Sequence, residues 1–237
     1  MSVANCPSCG APVEFAIGSS AVVVCGSCRT LVARTDRGVE DHGKAAALIE
    51  TGSPLGIGMP GKTRGKGFRI TGRTQLRHQA GGVWDEWYAA FDDGRWGWLA
   101  EAQGRVYLTF RVAAEAPPAG EIEVGATLLD GLVVAEIGRA EIASAEGELP
   151  WDPEPGGFYA YADLTGAGGK FATIDYGEEP PAVYKGSETT YAELGIELGE
   201  EGGRRIAVEK LSCSQCGAPL ELVAPDQAER IYCPSCG

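Results

Sequence analysis

The eight cysteines of this 237-residue chain all lie in C-x-x-C pairs. The pairs are Cys6/Cys9, Cys25/Cys28, Cys213/Cys216 and Cys233/Cys236. Fifteen residues separate the first two pairs and sixteen separate the last two, a spacing typical of four-cysteine zinc sites. A two-residue spacer lets both thiolates of a pair point at one ion about 2.3 Å away, and two such pairs on a hairpin complete a tetrahedron. We therefore predict two Zn²⁺ sites.

Four cysteines fill every coordination position, so both predicted metals are structural rather than catalytic. Iron is the alternative metal, because tetrahedral sulfur sites suit it as well. A disulfide framework is disfavoured, because no export signal is recognisable and cytosolic thiols stay reduced. A thioredoxin-like redox pair would open a helix, whereas the residues around these pairs are strand-like. The expected compartment is the cytoplasm.

The two cysteine modules resemble each other and resemble zinc ribbons. Residues 6–15, CPSCGAPVEF, match residues 213–222, CSQCGAPLEL, in spacing and character. A module this small cannot bury enough apolar surface to fold alone, so metal binding must supply much of its folding free energy. The first module continues through residues 31–34, and the second lacks an equivalent strand. The C-terminal ribbon is therefore expected to be truncated.

Short glycine-punctuated strands dominate the residues between the ribbons. Gly72-Arg73 is mirrored by Gly138-Arg139, and the segments 87–91 and 94–99 are mirrored by 158–162 and 169–174. The pattern predicts an all-β fold with two tandem small β-barrel-like units, SH3-like or similar, bracketed by the two zinc ribbons. The predicted segments are the N-terminal ribbon 1–37, a linker 38–53, the first unit 54–116, the second unit 117–203 and the C-terminal ribbon 204–237.

Charge differs sharply between the two units. Residues 54–112 carry nine Lys or Arg against five Asp or Glu, a net +4, while residues 113–203 carry three against nineteen, a net −16. The whole chain has a formal net charge of −13, which argues against wholesale binding of nucleic acid. The opposite signs also make self-association through the two halves a candidate.

Two motifs have both a functional and a structural interpretation. Residues 56–63, GIGMPGKT, satisfy the P-loop pattern, but a P-loop needs a buried strand before it and a helix after it, and the flanking residues predict neither. We interpret it as a false positive. The candidate partner-binding residues are Lys62, Arg64, Lys66, Arg69, Arg73, Trp96 and Trp98. The basic ones form either a solvated strand face or a landing site for an acidic partner, anionic lipid or nucleic acid, and the tryptophans are either core or a stacking platform.

The remaining titratable residues show no catalytic pattern. His42 and His78 are the only histidines, and neither has a recognisable Cys or Ser partner, so exposed or hydrogen-bonded structural roles are expected. Asp92, Asp93 and the pair Asp163 and Asp175 are expected at strand ends, where turn roles are commonest. No catalytic residue is predicted.

Four segments of the body resemble a bacterial family known as domain of unknown function 4178. They are residues 84–88, WDEWY, residues 94–99, GRWGWL, residues 147–151, GELPW, and residues 171–176, FATIDY. The resemblance covers about residues 53–198 and implies an accessory role in a bacterial membrane-stress system, since members tend to be encoded near phage-shock-type proteins and polyamine aminopropyltransferases. It implies no catalytic residues.

These observations predict a non-enzymatic zinc-binding interaction or scaffolding protein with a protein partner. The alternative is a nucleic-acid-binding protein that uses the ribbons and the basic first unit. A third hypothesis is an enzyme whose site forms between the two units. A deep pocket with convergent carboxylates of perturbed pKa would favour that hypothesis.

Overall fold

The computed structural model describes residues 2–79, 81–102, 104–154, 156–198, 211–212 and 219–220. The chain divides into two units, Met1–Leu198 and Gly199–Gly237. The first unit contains the N-terminal cysteines and the whole β-rich body. Among the described residues it has no α-helix, and none of its elements is a helix long and apolar enough to cross a membrane.

The N-terminal ribbon consists of five short strands. They are β1 (Ser2–Asn5), β2 (Pro12–Phe15), β3 (Val22–Val24), β4 (Thr30–Thr35) and β5 (Gly38–Lys44). β1 and β2 form an antiparallel hairpin, and β3, β4 and β5 form an antiparallel sheet. The cluster around the cysteines has six buried residues: Cys6, Val13, Phe15, Val23, Cys25 and Val32. On the other face of β3 and β4, the buried residues Val22, Val24, Leu31 and Ala33 cluster with Tyr88, Ala145 and Leu149 of the body. The cluster around the cysteines is small, so a bound metal would add much of its stability.

The body is a closed antiparallel barrel of eight strands. Besides the short strands β6 (Pro60–Thr63) and β11 (Thr127–Leu128), the strands of the body are β7 (Lys66–His78), β8 (Val83–Phe91), β9 (Trp96–Ala102), β10 (Arg105–Val112), β12 (Leu132–Leu149), β13 (Phe158–Gly166), β14 (Lys170–Asp175) and β15 (Ala182–Thr189). Their order around the barrel is β7-β8-β9-β10-β15-β14-β13-β12, and β12 pairs with β7 to close it. The predicted all-β class and barrel architecture are confirmed.

The two predicted halves each contribute four strands, and together they close one barrel instead of two separate ones. β10 meets β15 along Val106↔Thr189 to Val112↔Val183, and β7 meets β12 along Gly72↔Gly147 to His78↔Ala140. The segments that mirror each other in sequence fall on corresponding strands, in the order β7 with β12, β8 with β13 and β9 with β14. This order is consistent with the predicted duplication, which stays a prediction.

The large apolar cores of the body lie on the outer surface of the barrel. One cluster packs Ile70, Trp87 and Leu99 under the covering residues Leu55, Leu194 and Ile196. A second cluster, on the other half, contains Ile122, Leu132, Val134, Ala162, Leu164, Ala172, Ile174 and Val183. Because successive side chains of a strand point to opposite faces, this arrangement leaves a different set of side chains for the interior.

The second unit contains one antiparallel strand pair among its described residues, β16 (Leu211–Ser212) with β17 (Pro219–Leu220). The predicted C-terminal cysteines Cys213, Cys216, Cys233 and Cys236 lie outside the described residues.

Candidate metal centre and acidic barrel lumen

Four cysteine sulfurs converge in the N-terminal ribbon. The Sγ atoms of Cys6, Cys9, Cys25 and Cys28 all lie within 4.8 Å of one another. The Cys6–Cys28 and Cys9–Cys25 separations are 3.7 and 3.8 Å. A tetrahedron with metal–sulfur distances of about 2.3 Å has sulfur–sulfur edges of about 3.8 Å, whereas a disulfide is about 2.05 Å long. The cluster is therefore a site that could hold one metal ion, and its all-sulfur donor set suits Zn²⁺ or iron.

The backbone around the cysteines has the tight turns that such a site requires. The N–H of Gly10 donates to the carbonyl of Cys6, and the N–H of Arg29 donates to that of Cys25, both at 2.8 Å. Gly10 and Arg29 have φ values of 75° and 62°, so each turn ends in the left-handed region. Hydrogen bonds from Thr30, whose hydroxyl lies 3.2 Å from the Cys28 sulfur, lower the pKa of that thiol to about 6.

The ribbon is joined to the barrel through β12. At its C-terminal end this long strand leaves the barrel and pairs with β3, with Glu148 opposite Val23 and Leu149 opposite Val22. The Glu148 carboxylate is buried and accepts hydrogen bonds from the N–H groups of Ala16 and Ile17 at 3.2 and 2.8 Å and from the Ser20 hydroxyl at 2.6 Å. One carboxylate of the barrel strand thus holds the turn between the two cysteine pairs.

Arg29 makes a second connection between ribbon and barrel. Its guanidinium donates to the carbonyl of Ala45 at 3.2 Å and to the hydroxyl of Ser144, on β12, at 3.0 Å. The hydroxyl of Ser144 in turn donates to the carbonyl of Ala46 at 2.6 Å. The residue after the fourth cysteine therefore fixes the start of the linker against the barrel.

The interior of the barrel, called the lumen below, is aromatic and acidic. A cavity of about 730 Å³ is lined by residues from β7, β8, β9, β10, β12, β13 and β14, and a smaller one of about 280 Å³ includes Tyr184 of β15. The residues that face the lumen alternate with outward-facing residues along each strand. They include Trp84, Glu86 and Tyr88 on β8, Trp98 on β9, Tyr159, Tyr161 and Asp163 on β13, and Phe171, Thr173 and Asp175 on β14.

Burial dominates the electrostatics of the lumen carboxyls. It raises the pKa of Glu86 well above its ordinary value, and the charges of Asp163 and Asp175 add to the effect. It raises the pKa values of both Asp163 and Asp175 to about 6. Glu86 accepts a hydrogen bond from the Trp84 indole at 3.1 Å, and Asp163 accepts one from the Thr173 hydroxyl at 2.6 Å. The deep pocket with perturbed carboxylates named by the enzyme hypothesis is thus present.

A separate cleft of about 700 Å³, called the basic groove below, lies on the outside of the barrel along the β10–β15 seam. Its floor contains Phe91, Leu108 and Phe110. Its cationic residues come from both halves of the body: Arg64, Lys66, Arg95, Lys170 and Lys185. Asp130 is the one carboxylate among the described residues that line it, and it forms an ion pair with Lys185 at 2.8 Å. Asp93 lies beside the groove and pairs with Arg95 at 2.9 Å and with Lys66 at 4.0 Å, which leaves Arg64 and Lys170 without an ion pair among the described residues.

A sequence profile for a domain of unknown function, DUF4178, matches residues 56–190, which is more than half of the chain. This chain belongs to the DUF4178 family. Searches of curated proteins and of solved structures each gave no match. The DUF4178 match begins just before β6 and ends just after β15, so it contains the whole barrel and its lumen. The cysteine ribbon precedes the DUF4178 domain.

The structure separates the predicted partner-binding residues of the DUF4178 domain into different surroundings. Lys62, Arg64, Lys66 and Arg69 are exposed, and of these Arg64 and Lys66 line the basic groove. Arg73 is enclosed instead, since it pairs with Asp85 at 3.2 Å and with Glu146 at 2.6 Å. Sequence reasoning missed Arg95, Lys170 and Lys185, because long-range strand pairing brings them to the groove.

The two tryptophans of β9 serve different parts of the molecule. Trp98 lies in the lumen, stacked on Tyr88 at 6.2 Å between ring centroids and edge-on to Tyr184 at 4.5 Å. The indole of Trp96 donates to the Ser19 hydroxyl of the ribbon at 2.9 Å. Trp98 is therefore a core residue of the lumen, and Trp96 connects the barrel to the ribbon.

The P-loop-like segment of the DUF4178 domain lacks the helix that phosphate binding needs. Residues 60–63 form β6, and Thr63 pairs with Lys66 at the turn into β7. A hairpin therefore follows the lysine and threonine of the pattern, where a P-loop has a helix N-terminus.

The predicted turn role fails for Asp163 and describes only part of the role of Asp175. Asp175 accepts a hydrogen bond from the Gly177 N–H at 2.7 Å, as a turn residue does, and it also lines the lumen. Asp163 lies inside β13 instead of at its end and lines the lumen. The signal was the alternation of Tyr159, Tyr161 and Asp163 on one strand face. His42, as expected, is hydrogen-bonded in a structural role, to Asp152, which raises its pKa.

The lumen carboxyls predict an unusual pH dependence of stability. The folded pKa of Asp163 lies above the unfolded one, so the folded state holds the proton more tightly and stability falls as pH rises from about 4 to about 6. Asp163→Asn removes this penalty. Relative to the wild type, its free energy of unfolding should rise by about 2 kcal/mol between about pH 4.5 and pH 7.5, measured by urea denaturation.

Acid can release metal from both proteins, and the resulting change in stability cancels when the variant is compared with the wild type at each pH. Asp130→Asn is the matched control, because Lys185 lowers the pKa of Asp130, and its removal should change stability slightly in the opposite direction. Parallel pH profiles for Asp163→Asn and the wild type would show that Asp163 is solvated.

Proposed function

We propose that this protein is a non-enzymatic interaction protein of the cytoplasm, stabilised by two structural zinc ions, whose basic groove binds an acidic segment of a partner protein. The observation that supports it is the groove itself: five cationic residues and one carboxylate around an apolar floor. A surface of this kind complements a peptide that carries carboxylates beside aromatic or aliphatic side chains.

The zinc ions in this proposal have no open coordination position. Cys6, Cys9, Cys25 and Cys28 would hold the first ion, and Cys213, Cys216, Cys233 and Cys236 the second. Such an ion fixes the fold of its ribbon and offers no position to a substrate. The four N-terminal thiols sit at metal-site spacing instead of disulfide spacing, which fits a reducing compartment. The family resemblance adds an accessory role in a bacterial membrane-stress system.

Nucleic acid is the second candidate for the groove, because Arg and Lys also recognise phosphate. The net charge of −13 opposes it, since a polyanion approaches the whole molecule before it reaches the groove. A carboxylate-bearing peptide carries less charge and gains from the apolar floor, so we favour the peptide.

A fluorescence polarisation assay distinguishes these ligands. The probes are a labelled peptide of alternating Glu and Phe and a single-stranded oligonucleotide of equal net charge. The double variant Lys66→Glu, Lys170→Glu should weaken peptide binding by about tenfold or more, because it places two carboxylates in the groove. The double variant Arg37→Glu, Lys44→Glu, at two exposed positions of the ribbon, changes the net charge equally and should leave binding unchanged.

Tighter binding of the oligonucleotide than of the peptide would favour the nucleic-acid alternative. Equal weakening by the control Arg37→Glu, Lys44→Glu would mean that net charge, not the groove, governs binding. Size-exclusion chromatography of the protein without ligand tests a second copy as occupant, because self-association through the groove would be lost in the double variant.

A further inference from the structure

The lumen holds buried carboxyls without cationic partners. The side chain of Glu86 is buried and that of Asp163 is half-buried, and in the described part of the chain neither forms an ion pair. The positive charge of Arg111 favours the ionised form of Asp175. The Arg111 guanidinium is already paired with Glu178, at 2.6 Å, at the end of the barrel. Burying an ionised carboxylate is costly unless a cation accompanies it. Arg105 and His78 also line the larger cavity, where they lie 3.6 Å from Glu188 and from Glu136. A cation bound beside Glu86 and Asp163 would favour the charged forms of these carboxyls, which burial alone disfavours.

Aromatic rings surround these carboxyls on several strands. Trp84 and Tyr161 are edge-on at 6.4 Å between centroids, and Tyr107 and Phe171 lie 4.4 Å apart. All four line the same 730 Å³ cavity. The faces of Trp and Tyr attract organic cations, and the attraction grows when water is excluded.

A buried donor without a hydrogen-bond partner is a further sign of a ligand in the lumen. The indole N–H of Trp98 is buried and has no hydrogen-bond partner among the described residues, and the residue is 9% exposed. The Trp98 indole favours the charged form of the Glu86 carboxyl, but the contact between them does not have the geometry of a hydrogen bond. A buried N–H without an acceptor costs free energy, so native proteins rarely leave one. Trp98 lines both cavities of the lumen, where a bound molecule could supply that acceptor.

We propose that the barrel lumen binds a small organic ammonium ion, held by the Glu86 and Asp163 carboxylates and by the faces of Trp84 and Trp98. A metal ion is a poorer match, because the walls are largely aromatic and Mg²⁺ or Ca²⁺ prefers a shell of oxygens. The cavity also exceeds what a bare ion fills, whereas about 300–1,000 Å³ is usual for organic ligands. The site is separate from the basic groove and from the cysteine cluster.

Isothermal titration calorimetry on the metal-loaded full chain tests the proposal with charged and uncharged isosteres. The probes are choline against dimethylbutanol, in which carbon replaces the quaternary nitrogen, and n-butylammonium against n-butanol. We expect at least one cation to bind and its neutral partner to bind about tenfold more weakly or not at all. Binding should also change the tryptophan fluorescence, because Trp84 and Trp98 line the cavity.

Glu86→Gln keeps the size of the side chain and removes its charge, and should weaken cation binding about thirtyfold or more. Glu123→Gln removes an exposed carboxylate from the segment that covers the outer face and should leave affinity unchanged. Trp98→Phe keeps a ring but shortens the aromatic surface, so it should weaken binding of the cation while circular dichroism stays native. Asp163→Asn provides a second charge-removing variant if Glu86→Gln does not fold.

Three results would overturn the proposal. They are equal affinity for an ammonium ion and its neutral isostere, unchanged affinity in both Glu86→Gln and Asp163→Asn, and no binding of any probe at millimolar concentration. Recovery of the chemically unchanged amine agrees with a binding site, whereas its conversion would make the lumen a catalytic site. Failure here would leave the basic groove untouched, because the two sites share neither carboxylates nor tryptophans.

Discussion

Removal of metal from the N-terminal cysteines should unfold the ribbon and leave the eight-stranded barrel folded. The cluster around the cysteines has six buried residues, two of which are Cys6 and Cys25. Four further buried residues of the ribbon, Val22, Val24, Leu31 and Ala33, pack in a cluster shared with the barrel and should keep part of β3 and β4 in place. Structural zinc contributes about 10–16 kcal/mol in modules of this kind, more than so small a core can supply. The barrel, in contrast, is closed by its own strand pairing and has two apolar clusters of its own.

Hydrogen exchange with and without a chelator measures this outcome. Amides of β2 and β3 should lose protection on metal removal, while those of β8, β13 and β14 should keep it. Cys9→Ser, which removes one sulfur, should reproduce the effect and lower the bound metal found by elemental analysis. Ser8→Ala changes the exposed neighbour and serves as the control. Loss of protection throughout the chain would show that ribbon and barrel fold as one cooperative body.

The N-terminal cysteine cluster was predictable because its geometry is local in sequence. A C-x-x-C pair fixes two sulfurs by its own turn, and the fifteen residues between the pairs have room for little besides a hairpin. The all-β class was predictable for a similar reason, since glycine spacing and residue alternation are visible within each strand.

Closure of the barrel was not predictable, because it depends on which strands pair. Val106 pairs with Thr189 and Gly72 pairs with Gly147, contacts between residues far apart in the chain. The same local pattern is compatible with two separate four-stranded barrels and with two halves of a single barrel. The basic groove has the same origin, because Lys66 and Lys170 come from different halves.

The lumen was partly visible in the sequence. Trp84, Glu86 and Tyr88 alternate on β8, as Tyr159, Tyr161 and Asp163 do on β13. Each run places acid and aromatic residues on one strand face, while the opposite face carries residues such as Trp87 and Leu164 that pack in the outer clusters. Such alternation is ambiguous until the barrel closes, since a polar face usually faces solvent. Here closure turns that face inward.

Glu148→Ala should separate the ribbon from the barrel and cost about 3–6 kcal/mol of stability. The Glu148 carboxylate is the acceptor for the N–H groups of Ala16 and Ile17 and for the Ser20 hydroxyl, and it is 6% exposed. Truncation leaves the buried Ser20 hydroxyl without that acceptor, at about 1–3 kcal/mol, and the N–H groups of the exposed Ala16 and the half-buried Ile17 add about 1–1.5 kcal/mol each. The loss is comparable with the whole stability of many domains, about 5–15 kcal/mol.

Urea denaturation followed by tryptophan fluorescence and by hydrogen exchange checks this expectation. Glu148→Gln keeps one carbonyl oxygen and should lose less than the alanine variant, and Ser20→Ala removes one donor and should lose about 1 kcal/mol. Glu141→Ala is the control on the same strand, because its ion pair with Arg77 at 2.9 Å involves a half-exposed arginine and contributes at most about 1 kcal/mol. Equal losses in Glu148→Ala and Glu141→Ala would mean that pairing of β3 with β12 holds the ribbon without the carboxylate. A larger loss in Glu148→Ala, with early exchange in the ribbon amides, would identify the carboxylate as the attachment point.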